Sequence, residues 1–204
     1  MKVCQNQENE HIKTKEINMT NTGHGIITQG TMTPNYMEYE KMLATENVDH
    51  IRINSKSTTS LGVMLEARYV SAFYHPKYGM FATLSGFWNF ISFEQPEEAF
   101  RVVTGKDIHE QVARCRANGN KQVKFADNAD FRRLIKEAVI YKILGNSKIF
   151  EQLSESVLPF RLYYYKNQQD EFVDKSAKEK WLFDIYEDVR KLAQGKITLQ
   201  QLLH

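Results

Sequence analysis

The chain has 204 residues, 42% of them hydrophobic and 25% charged, enough to bury one substantial core without disulfide or metal staples. Its 12 Phe, 10 Tyr and 2 Trp, set against 10 Gly and 4 Pro, exclude a fibrous or low-complexity protein. A formal net charge of +2 is too small to hold nucleic acid by bulk electrostatics, although a local patch can still hold phosphate.

Cys4 and Cys115 are the only cysteines, so spacing supports neither a disulfide framework nor a thiolate metal site, and a reducing cytoplasm is the expected compartment. The first twenty residues alternate Lys, Gln, Asn and Glu with no apolar stretch. No later segment approaches the roughly 18 apolar residues of a membrane span. Neither export nor membrane association is expected.

Residues 1–30, rich in Asn, Gln, Thr and Glu and punctuated by Gly23, Gly25 and Gly30, read as a flexible polar arm ahead of a domain over 31–204. Thr33 followed by Pro34 predicts a helix opening, because Thr caps and Pro at the first helical position sacrifices no hydrogen bond. The alternation Ile51, Arg52, Ile53 predicts a strand within 49–54, and Tyr69, Val70 and Phe73 a second over 68–74. The run Asn54-Ser55-Lys56-Ser57-Thr58-Thr59-Ser60 between them is a hydroxyl-rich loop with one lysine, either a phosphate cradle or a solvated turn.

His75-Pro76-Lys77-Tyr78-Gly79 reads as a turn, and Gly86-Phe87-Trp88-Asn89-Phe90-Ile91 as a dense aromatic segment. Pro96-Glu97-Glu98 suits the first turn of a helix ending at Gly105. Asp107 is placed to cap the next helix, whose Ile108, Val112 and Cys115 share a face and which Asn118-Gly119 closes. Cys115 then reads as core packing rather than as a nucleophile.

The most regular helix runs from about Asn128 to Leu144, with Phe131, Leu134, Ile135, Ala138 and Val139 as an apolar stripe and Gly145 at the stop. Lys142 falls near the centre of that stripe, where an ammonium is costly to bury without a partner. Periodicity leaves two readings open: a lysine that snorkels from the helix end, or one aimed into a pocket with its pKa lowered by desolvation. Ser147 begins a short helix carrying Ile149, Phe150 and Leu153. Phe160 to Tyr165 then has a strand pattern, with Phe160, Leu162 and Tyr164 on a core face and Arg161, Tyr163 and Tyr165 on the other. A last long helix over about 176–194 carries Trp181, Leu182, Ile185, Val189 and Leu192 on one face. Asp174 precedes it as a cap, and Leu199, Leu202 and Leu203 follow in a segment that can dock on the body or on a partner.

The phosphate-loop, dinucleotide and His-Glu-x-x-His zinc motifs are all missing, and the six scattered histidines show no helical ligand spacing. No metal or other cofactor is called for.

Several segments taken in order resemble the NADAR family: Ser55-Lys56-Ser57, Leu61-Gly62 with Leu65, Phe73, His75-Pro76-x-Tyr78-Gly79-x-Phe81 and Gly86-Phe87-Trp88. In the second half, similar features are a helix bearing Ala138 and Lys142, the strand Tyr163-Tyr164-Tyr165, Val173-Asp174, and Trp181 ahead of a helix containing Arg190. The coverage is about 49–195. The resemblance implies an α+β, mostly helical single domain with a small sheet and a cleft for ADP-ribose. It also implies an N-glycosidase that removes ADP-ribose from guanine in nucleic acid, as phage-encoded relatives do in the host cytoplasm to counter a host ADP-ribosyltransferase toxin.

On that resemblance Ser55, Lys56, Ser57 and Gly62 are the expected phosphate side, Trp88, Tyr163 and Tyr165 the stacking surfaces, and Lys142, Asp174 and Glu66 the catalytic candidates. Such chemistry needs groups that hold the pyrophosphate, protonate or orient the departing base, and stabilise an oxocarbenium-like ribose. The chain departs from the family at Leu65-Glu66-Ala67, where most relatives carry Leu-Ser-Asn, and at Ser85, where they carry a Glu that Ser cannot replace as a charged group. Glu66 is the residue that can compensate. The alternatives are a NADAR scaffold that binds ADP-ribosylated nucleic acid or the toxin without turnover, and a protein-interaction module built on the arm and the terminal leucines.

Overall fold

Thr33 and Pro34 open the first helix as their chemistry predicts: the Thr33 hydroxyl accepts from the Tyr36 amide, and α1 spans Pro34–Ala44. The computed structural model describes residues 32–203, so the arm expected over 1–30 lies outside the described residues. Thr33–His204 forms one compact unit. It is α+β and mostly helical, as expected, with three two-stranded sheets in place of a single small one.

In chain order α1 is followed by β1 (Ile51–Arg52), α2 (Ser60–Leu65), β2 (Phe73–His75), β3 (Gly79–Phe81) and α3 (Leu84–Ser92). Then come α4 (Asp107–Ala117), α5 (Ala129–Leu144), α6 (Ser147–Glu155), β4 (Phe160–Arg161), β5 (Tyr163–Lys166), β6 (Glu171–Asp174), α7 (Lys180–Ala193) and α8 (Leu199–Leu203). β1 pairs with β4 in parallel, while β2–β3 and β5–β6 are antiparallel hairpins.

The centre is α5. Its stripe Phe131, Ile135, Ala138, Val139 and Ile143 is wholly buried, and the helix packs on α3, α6, α7 and β2. Asn128 caps it through a bond from the Phe131 amide. Around it gather Phe73, Phe81, Phe87 and Phe90, whose ring pairs lie 5.0–6.0 Å apart, in stacked and edge-on arrangements that add to area burial. Cys115 is fully buried, and burial pushes its thiol up to about 11, consistent with packing and not with nucleophilic use.

Five local expectations are corrected. The second strand begins only at Phe73, because Glu66 to Tyr69 form a turn closed by the Tyr69 amide on the Glu66 carbonyl. The segment after Pro96 makes one 3-10 turn, Glu98–Arg101, and Asp107 is the first residue inside α4 rather than its side-chain cap. The last long helix starts at Lys180. Phe160 to Tyr165 is two strands, not one: at Leu162 the chain leaves β1 and turns to β6, donating its amide to the Ser176 hydroxyl. The break shifts the alternation, so Tyr163 joins Phe160 in the interior and is 0% exposed. Leu202 docks α8 on the body while Leu199 and Leu203 face outward.

Candidate functional site

The six residues of α2 end in carbonyls with no partner inside the helix, as every helix does. Here the last of them is capped from another element. Lys142, reaching from the last turn of α5, donates its ammonium to the Met64 carbonyl at 2.9 Å and to the Glu66 carbonyl at 3.2 Å, and the Tyr186 hydroxyl of α7 donates to the intervening Leu65 carbonyl at 2.9 Å. A cation at a helix C-terminus is electrostatically favoured, and three helices are thereby tied to one turn, Met64 to Ala67. Lys142 does not snorkel, since the side chain is 2% exposed, and its amine is engaged by backbone carbonyls rather than opening into a pocket. Burial lowers its pKa from 10.5 to about 8, and the Glu66 carboxylate works against that fall. Burial also pushes the Tyr186 hydroxyl up, with Glu66 adding to the rise.

Glu66 is held in place on its other side. Its carboxylate accepts from the Arg68 Nε at 2.6 Å and from the Arg68 backbone amide at 3.1 Å, and 14% of its side chain reaches solvent. The Tyr69 ring lies 5.8 Å from the Lys142 Nζ. The turn is joined to the start of α3 by the Ser85 amide, which donates to the Ala67 carbonyl at 2.8 Å. Trp88, one turn further along α3, is half-buried against Phe131 at 5.0 Å and Trp181 at 5.5 Å. Glu66, Lys142, Ser85 and Trp88 therefore follow one another around a single backbone junction, although sequence separates them widely.

The expected phosphate side divides. Ser55 and Lys56 are not enclosed, and they lie at the opposite end of α2 from Glu66, about 9 Å of helix away at 1.5 Å per residue. Ser57 and Gly62 serve the interior. The Ser57 hydroxyl donates to the Glu46 carboxylate at 2.6 Å, the same oxygen takes the Thr58 amide at 2.7 Å, and the other carboxylate oxygen lies 3.0 Å from the Arg52 Nε. That Glu46–Arg52 pair is almost fully enclosed, with Arg52 also donating to the Tyr39 hydroxyl at 3.2 Å and to the Lys56 carbonyl. A Cβ on Gly62 would fall 2.2 Å from the Arg52 carbonyl oxygen and 2.4 Å from the Ser57 Oγ. Because a backbone atom cannot swing aside, Gly62→Ala is expected to cost about 2 kcal/mol of stability through overpacking, read as a lower urea midpoint. An unchanged midpoint would show that the backbone here relaxes freely.

The remaining candidates lie elsewhere. Tyr163 donates its hydroxyl to the Met42 carbonyl at 3.0 Å and meets His50 Nε2 at 2.9 Å, and its burial pushes its pKa up. Tyr165 stacks on Tyr39 at 5.7 Å, meets Tyr36 edge-on at 5.1 Å and donates to Asp170, which also takes the Thr33 hydroxyl at 2.5 Å. Asp174 is exposed, accepts from the Ser176 amide at 2.7 Å and sits opposite Tyr163 in the β5–β6 hairpin. Among the described residues it makes no hydrogen bond or ion pair with Glu66 or Lys142.

Sequence reasoning missed Arg68, Tyr69 and Tyr186. Tyr186 had a signal, since it lies four residues after Leu182 and three before Val189 on the buried face of α7. Arg68 and Tyr69 had none, because their role depends on the tertiary position of the turn. Among the described residues, no three His, Cys, Asp or Glu side chains cluster as a metal site, and no helix is long and apolar enough to cross a membrane. No family model, curated protein or solved structure matches the chain.

Proposed function

We propose that the chain is an N-glycosidase of NADAR type that removes ADP-ribose from guanine in nucleic acid, working in the host cytoplasm against an ADP-ribosyltransferase toxin. The observation that carries this reading is the junction itself: a partly exposed carboxylate, Glu66, paired with Arg68 on a turn whose backbone the buried Lys142 holds, beside the α3 turn that leads from Ser85 to Trp88. In hydrolysis, water adds to the ribose C1′ as the C1′–N bond breaks, the bonding pair goes to the base nitrogen and the base takes up a proton. A carboxylate at C1′ stabilises the positive charge that grows on the ribose and accepts the proton of the attacking water. Glu66 fills that role. Lys142, whose amine is engaged by two carbonyls, is a positioning residue that fixes the backbone carrying Glu66. Trp88 supplies an aromatic flank, and the exposed Lys56 supplies a cation for phosphate.

The test is incubation with ADP-ribosylated DNA, following free ADP-ribose and DNA binding in parallel. Catalytic release supports the proposal; absence of release with intact folding overturns it.

One observation favours the scaffold reading, in which the chain binds the modified nucleic acid or the toxin without turnover. The Ser85 amide and the Lys142 amine both bond backbone carbonyls, and among the described residues Glu66 is the one carboxylate bonded at this turn. Tight retention of ADP-ribosylated DNA without release is the outcome that reading requires.

A further inference from the structure

The face formed by the end of α3, the loop into α5 and the starts of α5 and α7 carries an aromatic and basic surface of which the proposed chemistry uses only Trp88. The loop is hung from α3 by the Val123 and Lys124 amides, which donate to the Ser92 carbonyl at 2.8 and 3.2 Å. It presents Phe125 to solvent at 54% exposure. Arg132, in the first turn of α5, donates its Nε to the Ala126 carbonyl of the same loop and lays its guanidinium over the Trp181 ring at 5.3 Å. Trp181 in turn packs on Trp88. Loop, guanidinium and two half-buried indoles are thus one continuous surface.

The loop and the first turns of α5, residues 121–133, hold four Lys and Arg (Lys121, Lys124, Arg132 and Arg133) against two Asp, Asp127 and Asp130. Arg133 is neutralised by Asp130 and Glu137. Arg132, Lys121 and Lys124 make no ion pair among the described residues.

From this we infer that the Phe125–Arg132–Trp181–Trp88 surface, with Lys121 and Lys124 beside it, is a binding track for single-stranded nucleic acid. Unpaired bases stack on the exposed Phe125 ring and on the outer face of the Arg132 guanidinium that Trp181 backs, and the lysines meet the phosphates; rings and guanidinium planes beside basic side chains are how such strands are held without reading sequence. A duplex hides its base faces and cannot use the rings. The track ends at Trp88, one helical turn from Ser85 and hence from the Ala67–Glu66 turn, so a strand lying on it delivers a nucleotide to Glu66. That delivery rests on the glycosidase reading, whereas binding to the track does not.

The experiment measures fluorescence anisotropy of a labelled twenty-nucleotide oligothymidine and of a mixed-sequence duplex, across a salt series, with the full chain. Phe125→Ala and Arg132→Lys, the latter keeping charge while losing the planar stack, are each expected to weaken single-strand binding roughly tenfold. Lys121→Ala with Lys124→Ala is expected to flatten the slope of log affinity against log salt by about 0.7 for each phosphate that is no longer neutralised. Circular dichroism checks folding, and Phe125, being exposed, can be truncated without opening the core. Release of ADP-ribose from a modified guanosine too short to reach the track is measured on the same variants and is expected to be unchanged. Equal affinity for the duplex, or unaltered binding by both ring variants, would overturn the track; failure of the native chain to release ADP-ribose from the short substrate would instead strike the glycosidase reading and leave the binding result standing.

Discussion

Changing Glu66 to glutamine is expected to reduce release of ADP-ribose from modified DNA by about 10²- to 10⁴-fold, the usual contribution of one acid–base group, while binding of the modified strand changes by a few-fold at most. The substitution keeps size and shape. It removes the charge that would stabilise an oxocarbenium-like ribose and the basicity that would take the proton of water. Folding is not the expected casualty, because the carboxylate's side-chain partner is Arg68, itself 39% exposed, and pairs of that kind contribute little. A second readout needs no substrate: since the Glu66 charge holds the Lys142 pKa up against desolvation, Glu66→Gln should lower it further, visible in an NMR titration of the lysine side chain. Undiminished release by Glu66→Gln would remove the carboxylate from the reaction.

Lys142→Met is expected to change how stability depends on pH. In the folded chain the lysine titrates near 8, below its ordinary 10.5. Between those values the unfolded chain carries a proton that the folded chain lacks, so stability rises with pH across the window, by about 3 kcal/mol in all. Cys115, Tyr163 and Tyr186 are held neutral by burial and pull the other way once their unfolded counterparts ionise, from about pH 9 upward. The informative quantity is therefore native minus variant. Urea midpoints of the two proteins should diverge from pH 8 towards 10.5 in favour of the native chain, and parallel curves would show that the amine is not desolvated. At pH 7 the two effects of the substitution oppose each other, since methionine avoids burying an ammonium but leaves the Met64 carbonyl without its donor.

These expectations rest on a lysine whose inward direction was half legible. The stripe of α5 placed Lys142 among Phe131, Ile135 and Ala138 from periodicity alone, and the helix, its Asn128 cap and its Gly145 stop all appear where spacing puts them. What the amine meets could not be read. Its acceptors are the Met64 and Glu66 carbonyls, 78 and 76 positions away, and α2 itself, six residues long, is too short to have a period. The hydroxyl-rich run before α2 was visible as a loop, but its Ser57 is committed to Glu46, whose pairing with Arg52 is set by tertiary packing. Alternation in the tyrosine strand failed because parity survives only while one partner strand is kept, and at Leu162 the partner changes from β1 to β6.

The exchange of partners at Leu162 also orders events during synthesis. β1 finds its mate only in β4, and the opening of α1 is fastened by Thr33 to Asp170, 137 positions downstream. A ribosome that has released α1, the β2–β3 hairpin and even α5 still holds back both fasteners. α1 and β1 therefore stay unclasped until residues 160–170 have emerged.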